Sequence, residues 1–134
     1  MINGVCECGK VTFRVEGKIL DFSHCHCSQC RRLHGAAFAT FAGVMKEGFS
    51  YTSGESLVSH YASSEGSDRQ FCGNCGSTLL VYTTHEPEWI YLSMSVVEGN
   101  PDTPPARHDW VGSKASWWKI TDDLPQNEKY VPED

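Results

Sequence analysis

All seven cysteines of this 134-residue chain fall into three short clusters: Cys6-x-Cys8, Cys25-x-Cys27-x-x-Cys30 and Cys72-x-x-Cys75. None stands alone, and this grouping limits the possible folds more than any hydrophobic pattern in the chain. A C-x-C or C-x-x-C hook sets two sulfurs on one side of a tight turn, close enough to share a tetrahedral ion. Seven is odd, so intramolecular disulfides cannot use every thiol. Residues Met1 to Glu7 carry neither the basic nor the apolar region of a secretory leader. The sequence therefore predicts a reducing, cytoplasmic setting in which thiolates bind metal.

A metal would also answer a shortage. Leu, Ile, Val and Phe together make 27 of 134 residues, about 20%, the level at which a chain struggles to bury enough apolar surface to fold. The length suits one domain, expected to span residues 1–134 with a core at about 3–125 and a tail at 126–134. Zinc binding worth about 10–16 kcal/mol in small peptides is comparable to the ~5–15 kcal/mol stability of a whole domain, so one site offsets a lean core.

The clusters divide four and three. Cys8 is followed by Gly9 and Cys75 by Gly76, and glycine lets the backbone turn and bring N–H groups toward the sulfurs. Cys6, Cys8, Cys72 and Cys75 are therefore assigned to a closed, structural zinc site that ties the first strand region to the middle of the chain. Cys25, Cys27 and Cys30 supply three thiolates, the last in the first turn of a candidate helix, where the dipole favours anionic sulfur. Three protein ligands with a vacant fourth position is how catalytic zinc is presented. Closure by His24, His26 or His34, a disulfide network and an iron–sulfur cluster are the competing readings. With the fourth position open, three thiolates around Zn²⁺ leave a net negative, electron-rich centre suited to a soft ligand. The chemistry implied is formation or cleavage of a carbon–sulfur bond to a substrate thiol, with His26 a candidate shuttle for the thiol proton.

Short apolar–polar alternations occur at Val11–Val15, Ile19–Phe22, Ala37–Val44, Leu57–Tyr61, Leu79–Tyr82 and Trp89–Met94, so the chain reads as mainly β. One short helix is expected, capped by Ser28, running from Gln29 to His34 and ended by Gly35. The Pro-containing stretch Glu98–Arg107 reads as a surface excursion. Trp89, Trp110, Trp117 and Trp118 read as core filling, with the tail packing through its Trp pair and then fraying. His60 and His85 read as surface or strand residues, and Arg31-Arg32 as a solvated helix face or a carboxylate partner. Net charge is −6, no basic cluster exceeds Arg31-Arg32, and no apolar run reaches a membrane span, which argues against nucleic-acid and membrane partners. Serine-hydrolase, phosphate-loop and dinucleotide motifs are absent.

Three stretches carry a resemblance. They are Gly4-Val5-Cys6-Glu7-Cys8-Gly9-Lys10-Val11, Cys25-His26-Cys27-Ser28-Gln29-Cys30-Arg31-Arg32-Leu33-His34-Gly35 and Arg69-Gln70-Phe71-Cys72-Gly73-Asn74-Cys75-Gly76-Ser77. Supported by Ser53-Gly54-Glu55-Ser56-Leu57 and the late Trp117-Trp118 and Asp122-Asp123-Leu124-Pro125, the chain resembles the glutathione-dependent formaldehyde-activating enzyme family, also called the centromere protein V domain family. The resemblance implies an Mss4-like zinc-binding β fold with two Zn²⁺ per chain. It implies a structural zinc on Cys6, Cys8, Cys72 and Cys75 and a catalytic zinc on Cys25, Cys27 and Cys30, with His108 near a family position. The implied activity is a carbon–sulfur lyase reaction interconverting formaldehyde plus glutathione with S-hydroxymethylglutathione. A non-catalytic, zinc-stapled binding module is the alternative within Mss4-like folds. Methionine sulfoxide reduction on a related fold would need a redox cysteine late in the chain, and none follows Cys75.

Overall fold

The computed structural model describes residues 1–130. Ten strands and one helix follow in order: β1 Ile2–Val5, β2 Thr12–Val15, β3 Asp21–Cys25, α1 Ser28–His34, β4 Ala39–Met45, β5 Phe49–Ser53, β6 Val58–Ser64, β7 Ser67–Cys72, β8 Thr78–Thr83, β9 Trp89–Ser93 and β10 Arg107–Asp109. The fold is mainly β with a single α-helix among the described residues, as expected. None of its helices is long and apolar enough to cross a membrane, which leaves strand-built membrane proteins unaddressed.

The strands form two sheets, a small one ordered β1-β2-β5 and a large one ordered β10-β3-β4-β9-β8-β7-β6. All pairings are antiparallel except β10 with β3. Phe13 and Val15 from the small sheet meet Ala42, Val44, Leu80, Ile90 and Leu92 from the large one in a single buried cluster. Cys6 and Cys72 belong to that cluster, so the four-cysteine group sits at the margin of the core. Helix α1 lies on the other face of the large sheet, where His34 meets the Phe41 ring edge-on and Thr78 Oγ1 donates to the Leu33 carbonyl. In a strand, alternate residues face opposite sides. Phe41 and Ala42 therefore point apart, one to the helix and one to the core.

The main alternations became strands, with shifted ends. The run expected at Ile19–Phe22 lies at Asp21–Cys25, carrying the first cysteine of the central cluster to the end of β3. Three strands lack an apolar alternation: β1 contains Asn3 and Gly4, β7 is largely polar, and β10 has only three residues. They form because neighbours supply ladder partners and burial; Phe13, opposite Gly4, lies over it so closely that a methyl there would overlap the ring.

Two expectations are corrected. The helix cap is Cys27 rather than Ser28: the Cys27 sulfur accepts the Cys30 backbone N–H at 3.2 Å, and Gly35 ends the helix in the left-handed region. Sulfur takes the place usually held by a hydroxyl or carboxylate because the cysteine hook already turns the chain there. The tryptophans do not fill the core. Trp117 and Trp118 are exposed and Trp89 and Trp110 half-buried, since the apolar interior is closed by aliphatic residues and Phe13. Beyond the Trp pair the chain stays ordered through residue 130, because Pro125 and His108, Asn127 and His108, and Lys129 and Trp110 exchange backbone hydrogen bonds along β10. The remainder of the tail expected to fray, residues 131–134, lies outside the described residues.

Candidate metal centres and the histidine chain

The four sulfurs of Cys6, Cys8, Cys72 and Cys75 lie within 4.8 Å of one another. Cys6 to Cys8 is 3.5 Å and Cys8 to Cys72 is 3.8 Å, close to the ~3.8 Å edge of a tetrahedron with zinc–sulfur bonds of ~2.3 Å. The donor set fits zinc. Gly9 and Gly76 both take positive φ, at 80° and 85°, which closes the two knuckles. The Val11 N–H donates to the Cys6 sulfur at 3.3 Å, and the Ser77 hydroxyl lies 3.2 Å from that of Cys75.

On the helix face of the large sheet, the sulfurs of Cys25, Cys27 and Cys30 also gather within 4.8 Å. Cys25 ends β3, Cys27 caps α1 and Cys30 is buried in its first turn, so a strand end and a helix start build the group. Every cysteine is free, and no ring nitrogen of His24, His26 or His34 joins the three sulfurs. Hydrogen bonds from the Cys25 and Cys30 thiols pull the Cys27 thiol down to about 2. The contact with Cys27, followed by that with Cys30, pushes Cys25 far above the ordinary thiol range. Touching sulfurs share one negative charge, and a cation among them lets the others ionise. This donor set also fits a thiophilic metal, with three protein ligands rather than four.

His26 is sealed from solvent. Its Nε2 lies 2.8 Å from His108 Nδ1, and His108 Nε2 lies 3.0 Å from Asp122. The carboxylate at the end places a proton on His108 Nε2. Asp122 can only accept, so His108 Nε2–H donates to it; in the tautomer that carries its one proton there, His108 accepts at Nδ1 from the His26 Nε2–H. His26 Nδ1 is left as a bare acceptor, and that atom is buried with no hydrogen-bond partner. Burial first, and the neighbouring His108 second, lower the His26 pKa to about 4, so the ring is neutral at pH 7. Phe38 packs on the His24 and His26 rings, and Trp118 meets Phe38 edge-on.

The strand β10 positions this chain: Asp109 pairs with Cys25, and the His26 N–H donates to the Asp109 carbonyl. Arg107 clamps the two strands, donating to Asp21 at 2.6 Å and to Asp109 at 3.0 Å. The next residue, Trp110, takes φ 60°, a conformation rarely adopted by a bulky side chain and one that concentrates at functional sites.

Comparison with known proteins places this geometry. The model of the glutathione-dependent formaldehyde-activating enzyme family matches residues 1–113. The chain belongs to that family. A Halomonas elongata protein named "Putative glutathione-dependent formaldehyde-activating enzyme" is 30% identical over 90% of this chain and 81% of its own length. A Schizosaccharomyces pombe protein named as an uncharacterized lyase is 29% identical over 72% and 68%. A crystal structure of a Rhodobacter sphaeroides protein superposes with a TM-score of 0.63 at 27% identity, covering 75% of this chain and 91% of that one. Asp122 lies beyond the family-matched span yet completes the histidine chain of this family member.

Sequence reasoning missed two contributors. Asp122 stands in a polar tail with no local signal for its partner. Arg69 lies three residues before Cys72 inside a motif-bearing stretch, which is the only sequence hint of its importance. Of the remaining candidates, His60 is exposed and bonds Asp68, His85 is exposed, and Arg32 is exposed while Arg31 is half-buried.

Proposed function

We propose that the chain is a cytoplasmic carbon–sulfur lyase with two Zn²⁺, acting on a small thiol or its aldehyde adduct at the Cys25–Cys27–Cys30 group. Glutathione and S-hydroxymethylglutathione are the proposed pair, on an Mss4-like fold spanning residues 1–134. The observation that carries this reading is the cluster of three sulfurs that no fourth protein ligand among the described residues completes. Membership of the family and the lyase and formaldehyde-activating names of its relatives support the class of reaction.

A zinc ion held by Cys25, Cys27 and Cys30 would supply a soft coordination position at which a substrate thiol ionises near neutral pH. In the synthetic direction the thiol sulfur adds to the aldehyde carbon; a carbon–sulfur bond forms, and the carbonyl electron pair moves to oxygen, which gains a proton. In the reverse direction that bond breaks, its electron pair returns to sulfur, and the hydroxyl proton leaves. His26, between two of the three cysteines in the chain, is proposed to hold the transferred proton at Nδ1. Its protonated ring would remain hydrogen-bonded through His108 to the carboxylate of Asp122, which offsets the new charge.

Exchange spectroscopy by NMR on pre-equilibrated thiol, formaldehyde and hydroxymethyl adduct tests the reading, because mixing alone proceeds without catalyst. The zinc-loaded protein is expected to accelerate exchange and Cys27→Ser to lose that effect. No acceleration for glutathione or any other small thiol would favour the zinc-stapled binding module.

A further inference from the structure

Arg69 is a buried cation without a carboxylate. It is 9% exposed, on the face of β7 opposite Cys72 in strand alternation, and pairs with Val81 on β8. Its Nε donates to Ser63 Oγ at 3.2 Å, and its Nη2 donates to Gln29 Oε1 at 3.2 Å and to the Cys30 sulfur at 3.6 Å. Nη1 is buried without a partner, and no ion pair to Asp or Glu forms among the described residues. A guanidinium does not deprotonate to escape burial, so an anion must compensate it. Among the described residues, the Cys30 sulfur is the only potentially anionic group that its hydrogen bonds reach.

The two cysteine groups differ in this respect. Beside the sulfurs of Cys6, Cys8, Cys72 and Cys75 stand neutral groups, the Val11 N–H and the Ser77 hydroxyl, although Cys6 and Cys72 are as sealed from water as Cys30 is. Cys30 is 4% exposed, and what sets it apart is the charge of its donor. The Arg69 guanidinium brings a fixed positive charge within hydrogen-bond range of that sulfur.

We propose that Arg69 is the built-in counter-charge of the three-cysteine site, a positioning residue that fixes the Cys30 sulfur and makes room electrostatically for an incoming anionic sulfur. The proposal rests on the reading of Cys25, Cys27 and Cys30 as a metal site open to a thiol. Three thiolates around a divalent cation carry one net negative charge, and a fourth sulfur would add another. Arg69 cancels one of them. The strand β7 thereby serves both centres, Cys72 on one face and Arg69 on the other.

Metal binding to the full chain decides the matter. Zinc content and chelator competition, with Co²⁺ uptake read by its sulfur-to-metal absorption, separate the two sites in wild type, Arg69→Gln and Arg69→Lys. The expectation is two metals in wild type, a 10–100-fold weaker second metal in Arg69→Gln, recovery to within about threefold in Arg69→Lys, and no change at the four-cysteine site. Glutathione titrated into the Co²⁺ forms should shift the absorption of wild type and Arg69→Lys at lower concentration than that of Arg69→Gln. A wild type that takes one metal overturns the metal reading and this proposal with it. Two metals in wild type with an unaltered second site in Arg69→Gln, or retention in Gln with loss in Lys, overturns the counter-charge alone. Should the Arg69 variants not fold, Cys30→Asp against Cys30→Ser decides: an anion facing Arg69 should raise the melting midpoint, and an equal or lower midpoint refutes the proposal.

Discussion

His26 Nε2 stands 2.8 Å from His108 Nδ1, with both rings sealed from solvent and His108 anchored in turn by Asp122. Replacing His108 by Phe would keep a ring in the cavity but strip His26 of its acceptor. A buried donor left unpaired costs about 1–3 kcal/mol. Urea unfolding should show a loss of that size in His108→Phe, and a smaller one in Asp122→Asn, whose side chain is half-exposed. Equal stability of His108→Phe and wild type would mean that the chain contributes nothing to the fold.

The same chain makes an acid-sensitive contribution through its outer end. The hydrogen bond from His108 holds the Asp122 carboxyl below its usual value of 3.8. A carboxyl whose folded pKa is depressed stabilises the fold above its unfolded pKa and loses that contribution as pH falls through the folded one. The gap in melting midpoint between wild type and Asp122→Asn should therefore be constant above about pH 5 and close below about pH 4. A gap that widens on acidification would reverse the assignment of donor and acceptor.

Removing one sulfur from each metal group should have unlike consequences. Cys72→Ser strikes a residue with no exposed surface that belongs both to the four-sulfur group and to the core. A site worth about 10 kcal/mol or more rivals the stability of the domain, so this variant should be unfolded at 25 °C. Cys27→Ser should fold with about one zinc instead of two, because the other group and the inter-sheet core are intact. Plasma emission and circular dichroism read both, and a Cys27→Ser chain as disordered as Cys72→Ser would contradict a functional rather than structural use of the central group.

Gly4→Ala should destabilise the chain by about 1–3 kcal/mol, the usual cost of overpacking. The added methyl would enter the ring of Phe13, which is 1% exposed and cannot swing away. Val97 also bridges to Gly4, so the shift would reach the loop after β9. Denaturant titration of the zinc-loaded protein measures the loss.

The two cysteine groups were legible in the linear chain because their geometry is local: a hook of two or three cysteines separated by one or two residues brings its sulfurs together before anything packs. The main strands and helix α1 were legible for the same reason, since alternation and a terminal glycine act over a few residues, while the cap passed from Ser28 to Cys27 because a sulfur took the hydroxyl's place. Strand β7 was not, because Ser67, Asp68, Arg69 and Gln70 form a strand only between β6 and β8. The tryptophans misled because composition carries no information about which large side chain the interior admits.

Sequence alone settled how seven sulfurs divide, four and three, and thereby which elements a metal could join. Tertiary structure decided what surrounds each group. It brought Arg69 to Cys30 from 39 positions away and His108 to His26 from 82 positions away. Those neighbours are long-range because charge compensation and proton acceptance depend on distances of about 3 Å, and such distances are made by sheet register and helix placement, not by spacing along the chain.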